Sequence, residues 1–267
     1  MYTINDLKNV VKALRDPDSG CPWDIKQTIF SITDSSIEEI YELVDAIENE
    51  NWPQIKEELG DVLFQIIFYS QIADESERFS LNDVIHVLTE KLIRRHPHVF
   101  PTGDIDNPNK TLLTEEEVKT QWEKIKQEER QTKSLKGLFD DIPKALPAIL
   151  RAQKLQKRMH KIGFDWSNPL PVFDKLNEEV AELQQAIDKN NTQGCVEEMG
   201  DILFTCVNLA RQLGLDAEMV LRKANHKVEQ RFAFIEAKLD NTGSNFEDAS
   251  QDDLEALWNL SKSIQKK

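Results

Sequence analysis

The chain of 267 residues is long enough for one large or two smaller domains with a buried core, and its 48 acidic and 33 basic residues give a formal net charge of -15. This charge repels phosphate, so we expect no nucleic-acid polymer among its partners. Because the three cysteines form no CxxC pair and no segment is apolar enough for a signal peptide or a membrane span, we expect a cytoplasmic protein without membrane contact, disulfides or a thiolate zinc site.

Helical periodicity dominates the chain, and the alternation of period two that is typical of strands is almost absent. Ile37, Ile40, Tyr41 and Val44, for example, recur with the spacing of one helix face. The pattern predicts an all-α fold of helical bundles with helices, in chain order, over 3–15, 34–49, 53–74, 80–95, 114–131, 143–161, 169–189, 192–213, 215–240 and 250–265.

The first half of the chain is repeated in the second half. The sequence Glu-Glu-Ile-Tyr-Glu at 38–42 returns as Glu-Glu-Val-Ala-Glu at 178–182, and Glu-Glu-Leu-Gly-Asp at 57–61 returns as Glu-Glu-Met-Gly-Asp at 197–201. Both pairs have an offset of 140 residues. A repeat of this length indicates two copies of one structural unit.

The repeat continues beyond a loop that is four residues longer in the first copy, where the offset becomes 136 and Trp122 matches Trp258. We therefore predict a tandem arrangement, with a first repeat over 1–126, a linker over 127–150 and a second repeat over 151–267.

Each copy carries four carboxylates on two consecutive helices. Residues three apart lie on one helix face, so Glu179 and Glu182 face the same way, as do Glu198 and Asp201. A short connection makes the helices antiparallel, and the clustered charges then require a cation or protons. All-oxygen ligands favour magnesium, with manganese as a second possibility, over zinc. The predicted metal site is Glu179, Glu182, Glu198 and Asp201, with a weaker counterpart at Glu39, Glu42, Glu58 and Asp61.

Two structural explanations compete with a metal site. Acidic residues at helical spacing are most often a solvated face, and Ser35 and Ser36 have the spacing of a capping box with the glutamates that follow them. The second copy does not fit a capping box, because Pro169 starts its helix well before the acidic motif. Gly60 and Gly200, inside helical patterns, suggest the close approach of a backbone or a ligand.

A di-iron carboxylate bundle is the alternative metal chemistry, and it requires Glu-x-x-His on its helices. None of the five histidines has a glutamate three residues before it. The residues therefore favour a hard divalent cation over iron.

The duplicated acidic motif closely resembles that of the MazG family, within the all-α nucleoside triphosphate pyrophosphatase group. Cys-Pro-Trp-Asp at 21–24, Gly-Phe-Asp-Trp at 163–166 and Lys-Leu-Ile-Arg-Arg-His-Pro-His-Val-Phe at 91–100 extend the resemblance over essentially the whole chain. The resemblance implies magnesium-dependent hydrolysis of nucleoside triphosphates, including ATP, between the α- and β-phosphates to a monophosphate and pyrophosphate, with a broad base range. It also implies a homodimer formed through helical bundles.

Within that resemblance, basic and aromatic residues of the second copy are the candidate nucleotide site. We expect Lys227 and Arg231 to clamp phosphates, Trp258 to stack on a base, and Glu178 or Glu197 to orient the attacking water. The complete nucleotide-binding set is Lys175, Asn225, Lys227, Arg231 and Trp258. The structural alternatives are an ordinary basic helix face for the cations and a core or interface position for Trp258. The other class that stays open is a helical nucleotide-binding or interaction module without turnover.

The second copy is expected to carry most of the turnover. Lys175 corresponds to Ser35 in the first copy, which therefore lacks a cation one turn from the metal ligands. Asn177 corresponds to Ile37, and Asn225 to Thr89 in the same comparison, so further polar groups are lost.

Overall fold

A computed structural model of the chain describes residues 1–106, 112–132 and 137–264. Every regular element in these ranges is an α-helix, which confirms the all-α prediction. In chain order the helices are α1 (Ile4–Leu14), α2 (Pro22–Lys26), α3 (Thr33–Glu48), α4 (Trp52–Glu75), α5 (Leu81–Arg95), α6 (Glu115–Thr132), α7 (Ala148–Lys161), α8 (Leu170–Asp188), α9 (Thr192–Gln212), α10 (Ala217–Asn241) and α11 (Gln251–Ile264). Within the same ranges, no helix is long and apolar enough to cross a membrane.

The helices depart from the sequence prediction at two places. The short α2 was not predicted, because five residues that begin with Pro22 are too few for periodicity to be read. Helix α7 begins at Ala148 rather than at 143, because residues that precede a proline avoid helical conformations and Pro147 is the N-cap. Residue 265 of the last predicted helix lies outside the described residues.

The chain divides into two compact units, Met1–Glu129 and Arg130–Lys267. In the first unit, α1, α3 and α5 pack against α4. In the second unit, α7, α8 and α10 pack against α9, and α11 packs against α10. Each unit thus places a long, acidic-motif helix at its centre. The predicted linker over 127–150 stays a prediction, and its residues 133–136 lie outside the described residues.

The core of the first unit is built around Phe68 of α4, which is 1% exposed. Val11 of α1 and Ile67 of α4 pack in the same cluster. Arg15 lies with its guanidinium Cζ 5.3 Å from the ring centroid of Phe68, and its Nε donates to Glu75 at 2.9 Å. An ion pair with a ring contact therefore fixes α1 against α4.

Tight connections make both acidic hairpins antiparallel, as the sequence predicted. Asn190 adopts a left-handed conformation with φ 53°, and the side chain of Asn191 accepts from Gly194 N at 3.1 Å to cap α9. Glu50 with φ 52° and Asn51 have the same roles before α4. The repeated connection places the acidic motif of each first helix beside that of the next.

Candidate metal and nucleotide site

The α8–α9 hairpin brings three carboxylates of the predicted metal site together. Oxygen atoms of Glu179, Glu182 and Glu198 lie within 4.8 Å of one another. Glu179 is 4% exposed, Glu198 is half-buried and Glu182 is exposed, so the group has one buried side and one side open to solvent. Converging carboxylate oxygens with an accessible side suit a hard divalent cation, which completes its ligands with water or phosphate. This group can hold a metal ion.

Asp201, the fourth predicted ligand, lies one turn beyond Glu198 on α9 but does not join the group within 4.8 Å. Its side chain lines a cavity that Glu179 also lines. Desolvation raises the pKa of Glu198, and the charges of Glu182, Glu179 and Asp201 raise it further. Asp201 therefore acts on the group through its charge, and its role as a direct ligand stays a prediction.

Lys175 supplies positive charge to the acidic hairpin. Its Nζ lies 2.7 Å from Oε1 of Glu179 and 2.8 Å from Oε1 of Glu178. Hydrogen bonds to Glu178 and Glu179 raise the pKa of Lys175 above its ordinary value, because both partners favour the ammonium form. A cation one turn before the acidic motif is thus in direct contact with a predicted metal ligand.

The two glutamates predicted to orient water lie outside the group of three. The side chain of Glu178 is 55% exposed, and its carboxylate forms an ion pair with Lys175. Glu197 is exposed, and its Oε1 accepts from Gln193 Nε2 at 3.1 Å. Both side chains are accessible to water, and their catalytic role stays a prediction.

The first unit has a similar but not identical acidic group. Oxygen atoms of Glu39, Glu58 and Asp61 lie within 4.8 Å of one another, and Glu42 is the predicted ligand left outside. Desolvation raises the pKa of Glu39, and the charge of Asp61 raises it further, against a hydrogen bond from Gln65 that lowers it. Desolvation and the charge of Glu58 likewise raise the pKa of Glu42. Both units therefore hold carboxylates whose proximity disfavours ionisation without a cation.

The structure excludes the capping box in the first unit. Helix α3 begins at Thr33 with Ile32 as its N-cap and no side-chain cap, so Ser35 and Ser36 lie inside the helix. The hydroxyl of Ser36 donates instead to Ile32 O at 2.8 Å.

Of the two explanations given for Gly60 and Gly200, the close approach of a backbone is wrong among the described residues, and the close approach of a ligand stays a prediction. A Cβ built at either position would meet nothing within 4 Å among the described residues, because both glycines lie on exposed helix faces.

The predicted nucleotide-binding residues on α10 and α11 form a cationic-aromatic group of their own. The guanidinium Cζ of Arg231 lies 5.0 Å from the ring centroid of Trp258, and Lys262 Nζ lies 5.5 Å from the same ring. Lys227 and Asn225 are exposed on α10. The structure places these residues on different helices from the carboxylates of α8 and α9, and their contacts with a nucleotide stay predictions.

The repeat partner of Arg231 is engaged within the first unit. Arg95 donates through its terminal nitrogen to Glu129 at 2.6 Å, and Arg94 donates to the same carboxylate at 2.8 Å. These hydrogen bonds lower the pKa of Glu129 to about 2. The guanidinium that corresponds to a predicted phosphate clamp is therefore held by an internal carboxylate.

A cavity of 460 Å³ adjoins the acidic group of the second unit. It lies between α7, the turn at 163–166 and α9, and Glu179, Asp201 and Lys175 form its acidic end. The remaining lining residues are Gln156, Met159, Gly163, Phe164, Asp165, Trp166, Phe204, Thr205, Asn208 and Arg211. Sequence reasoning did not identify this cavity, although the Gly-Phe-Asp-Trp segment that forms one wall was noted as a family feature.

The MazG nucleotide pyrophosphohydrolase domain matches this chain twice, over residues 27–100 and 168–233, which together make up just over half of it. The chain is also 43% identical to a nucleoside triphosphate pyrophosphohydrolase of Escherichia coli over 263 residues, 97% of this chain and 96% of that protein. The chain belongs to the MazG family. It is therefore an enzyme of the nucleotide pyrophosphohydrolase class, built as a tandem repeat.

Two other relatives differ in how much of their own length this chain covers. A MazG nucleoside triphosphate pyrophosphohydrolase/pyrophosphatase of Thermotoga maritima is 40% identical over 97% of this chain and 95% of its own length. The uncharacterized protein YabN of Bacillus subtilis is 38% identical over 100% of this chain but only 53% of its own length.

The two MazG matches contain both acidic hairpins, but they do not contain the whole cavity. Helix α7 and the turn at 163–166, which line the cavity, lie outside the matched segments. The MazG domain thus contributes the acidic end of the cavity in the second unit, and flanking residues of this chain contribute the opposite wall.

Asp165 holds that wall in place. It accepts from Arg211 at 2.6 Å and from Gln212 Nε2 at 3.0 Å, and His160 Nδ1 lies 2.7 Å away. Burial raises the pKa of Asp165, but the hydrogen bonds from Arg211 and His160 outweigh burial and hold this pKa below its ordinary value. The turn before α8 is therefore tied to α9, so the cavity has a fixed shape beside the MazG acidic motif.

Proposed function

We propose that the chain hydrolyses nucleoside triphosphates between the α- and β-phosphates, giving a nucleoside monophosphate and pyrophosphate. The observation that carries the proposal is the group of carboxylate oxygens of Glu179, Glu182 and Glu198, which lie within 4.8 Å of one another in a MazG hairpin. Such a group matches the hard-cation site that triphosphate hydrolysis requires.

Magnesium, or manganese in its place, fits these residues and would be held by Glu179, Glu182 and Glu198, with Asp201 as the fourth ligand. When bound, this ion supplies charge neutralisation for phosphate oxygens and lowers the pKa of a bound water. A protein with a net charge of -15 needs such local positive charge before it can bind a triphosphate.

The chain's own cations complete the phosphate site. Lys175, which contacts Glu179 at 2.7 Å, is placed to bind a phosphate oxygen beside the acidic group. Lys227 and Arg231 on α10 are proposed to clamp the remaining phosphates, and Asn225 to donate a neutral hydrogen bond. Positive charge arranged in advance around the transferring group stabilises the charge that develops in the transition state.

The attacking water needs an acceptor, and we assign that role to Glu178 or Glu197. Each lies directly before a member of the acidic group in sequence, and each is accessible to solvent. A carboxylate that accepts a hydrogen bond from the water orients its lone pair toward phosphorus.

The second unit is proposed to carry most of the turnover. The first unit has Ser35 at the position of Lys175. Fewer cations are thus available for a triphosphate at the acidic group of the first unit.

We propose that the chain forms a homodimer through the apolar outer faces of its acidic hairpins. Val180, Val196 and Leu203 in the second unit are 51%, 64% and 60% exposed. Leu63, the repeat partner of Leu203, and the neighbouring Leu59 are also exposed, which supports a shared association surface. Light scattering at micromolar concentration is expected to report twice the chain mass of 30.8 kDa, and a mass near 30.8 kDa would contradict the dimer.

The activity is tested by incubating the chain with each nucleoside triphosphate and magnesium and identifying the products by chromatography. Monophosphate and pyrophosphate are the expected products, diphosphate and phosphate would mean cleavage of the other bond, and no turnover would favour a binding module. Glu198→Gln should remove most of the activity. The exposed Glu236 on α10 provides the matched control, because Glu236→Gln changes the same charge away from the acidic group.

A further inference from the structure

The cavity beside the acidic group of the second unit contains a buried acceptor without a partner. Gln156 is 1% exposed, and its Oε1 has no hydrogen-bond partner among the described residues. The orientation of its amide is set by Nε2, which donates to Phe204 O at 2.8 Å. A buried polar atom is normally paired, so an occupant of the cavity that offers an N–H or O–H would satisfy this acceptor.

A donor without a partner lies in the same lining. Arg211 Nε is buried and has no partner among the described residues, while the terminal nitrogen of Arg211 is held by Asp165 and by Asn208 at 2.7 Å. The guanidinium is therefore fixed in position with one donor unused. An acceptor on α7 and a donor on α9 match a molecule whose edge carries both kinds of group.

The other walls of the cavity are flat and apolar. Met159 and Phe204 lie along its sides, and Phe164 and Trp166 are 70% and 40% exposed at its rim. A volume of 460 Å³ lies in the range of about 300–1,000 Å³ that is usual for small-molecule sites. Aromatic side chains beside a few fixed polar atoms suit a planar heterocycle, which stacks on rings and pairs through its edge.

The cavity also continues to the proposed phosphate site, because Lys175, Glu179 and Asp201 line its acidic end. A molecule that fills both ends has a heterocycle at one end and metal-binding anionic groups at the other. We propose that the cavity binds the base of the nucleoside triphosphate, with Gln156 Oε1 accepting a hydrogen bond from an exocyclic amino group of the base. This inference rests on the proposed function, since it places the base of that same substrate.

The first unit lacks the polar lining at the corresponding position of its central helix. Asn208 of α9 matches Phe68 of α4 at the repeat offset of 140. Phe68 is 1% exposed and packs in the core with Val11 and Ile67. A buried ring thus takes the place of the asparagine that lines the cavity, and the base site belongs to the second unit.

Gln156 gives the site a preference within a broad base range. Its Nε2 is engaged by Phe204 O, so Oε1 faces the base as an acceptor only. An exocyclic amino group, as in cytosine, can donate to Oε1, whereas the exocyclic carbonyl of uracil at the same edge cannot. We expect CTP to be a better substrate than UTP, and Gln156 to be the residue that determines the difference.

The test compares kcat/KM for CTP, UTP and ribose 5-triphosphate, which has no base. Gln156→Leu is expected to lower kcat/KM for CTP about 10- to 100-fold and to remove the preference over UTP, because one buried hydrogen bond to the base is lost. The value for ribose 5-triphosphate should not change. Gln153 is the matched control: it is also buried on α7 and donates to Leu215 O at 3.4 Å, but it does not line the cavity. Gln153→Leu should keep the preference for CTP.

A second variant imports the residue of the first unit. Asn208→Phe should lower turnover of CTP and UTP at least about tenfold by filling the cavity, while ribose 5-triphosphate is still hydrolysed. Thermal melting of each variant establishes that it is folded. Calorimetric titration with CMP measures base binding without turnover, and Gln156→Leu should weaken this binding by the same factor as kcat/KM.

These measurements separate the base site from the proposed activity. If the wild-type chain cleaves no triphosphate but binds CMP in a manner that depends on Gln156, the proposed function is wrong and the base site is supported. If Gln156→Leu leaves CTP turnover unchanged, or lowers ribose 5-triphosphate turnover equally, the base site is overturned while the activity stands. Loss of the CTP preference in Trp258→Leu but not in Gln156→Leu would place the base at Trp258 and would also overturn the inference.

Discussion

Glu182→Gln is expected to abolish nearly all of the turnover, whereas Glu42→Gln, the same change at the repeat-equivalent position, should leave nearly all of it. Only Glu182 belongs to its unit's group of three carboxylates, so the same comparison of Glu198→Gln with Glu58→Gln, which both belong to such groups, separates the surroundings from the ligand chemistry. In the second unit Lys175 lies 2.7 Å from Glu179. In the first unit Ser35 occupies that position.

The magnitude follows from two contacts that the first unit lacks. The first is the phosphate contact of Lys175, and the second is the cavity in which Asn208 is replaced by Phe68. Each lost hydrogen bond to a charged or buried group lowers a rate about 10- to 100-fold, so two together lower it about 10²- to 10⁴-fold. Turnover by the first unit is then at most about 1% of the total, and Glu182→Gln should retain about that fraction.

The assay measures nucleoside monophosphate by chromatography at saturating magnesium for the wild-type chain and both variants. Thermal melts of the three proteins check that any loss is not caused by unfolding. Equal losses from the two variants, or a larger loss from Glu42→Gln, would refute the argument that cation supply and cavity polarity separate the units.

Removal of divalent metal with EDTA should abolish turnover, and magnesium or manganese should restore it; activity that survives chelation would contradict the carboxylate site. Because desolvation and the neighbouring carboxylates raise the pKa of Glu198 in the fold, its ionised form destabilises the metal-free protein at neutral pH. Glu198→Gln should therefore raise the metal-free Tm and lose the rise in Tm on adding magnesium, and a lower metal-free Tm would contradict this. Glu129 has its pKa lowered from 4.5 to about 2 by Arg95 and Arg94, so its stabilising effect is present above its ordinary pKa and is lost as the pH falls toward 2. The unfolding free energy of wild type should exceed that of Glu129→Gln by about 1–3 kcal/mol at pH 6–8, and denaturant titrations should find this difference shrinking below about pH 4.5.

The acidic hairpins were predictable because their geometry is local. The spacing of Glu179 and Glu182 fixes a common helix face, and Asn190 and Asn191 mark a connection too short for anything but an antiparallel turn. Which three carboxylates converge was not predictable. Asp61 joins the carboxylate group of the first unit, whereas its equivalent Asp201 does not join that of the second unit. This difference depends on side-chain conformations and on the spacing between helices.

The cavity was missed because its polar atoms come from distant parts of the sequence. Gln156 on α7 and Arg211 on α9 lie 55 positions apart, and each looks like an ordinary polar residue of an amphipathic helix. A signal was present in the repeat itself, where Phe68 is replaced by Asn208 between the apolar residues Val207 and Leu209. Where one copy of a repeat has a buried apolar residue and the other has a polar residue, the polar side chain indicates a surface that faces a cavity or a ligand rather than the apolar core.

Polar residues in α9 replace apolar core residues of α4, and this difference also divides stability unequally between the two units. Ile67, Phe68 and Ile72 of α4 are buried in one apolar cluster, whereas Asn208 and Gln212 stand at the last two of these positions in α9. Less apolar burial around α9 means a smaller free energy for local opening. Backbone amides of α9 are therefore expected to exchange with deuterium faster than those of α4. Unfolding of this chain should then begin in the second unit, the one proposed to carry most of the turnover.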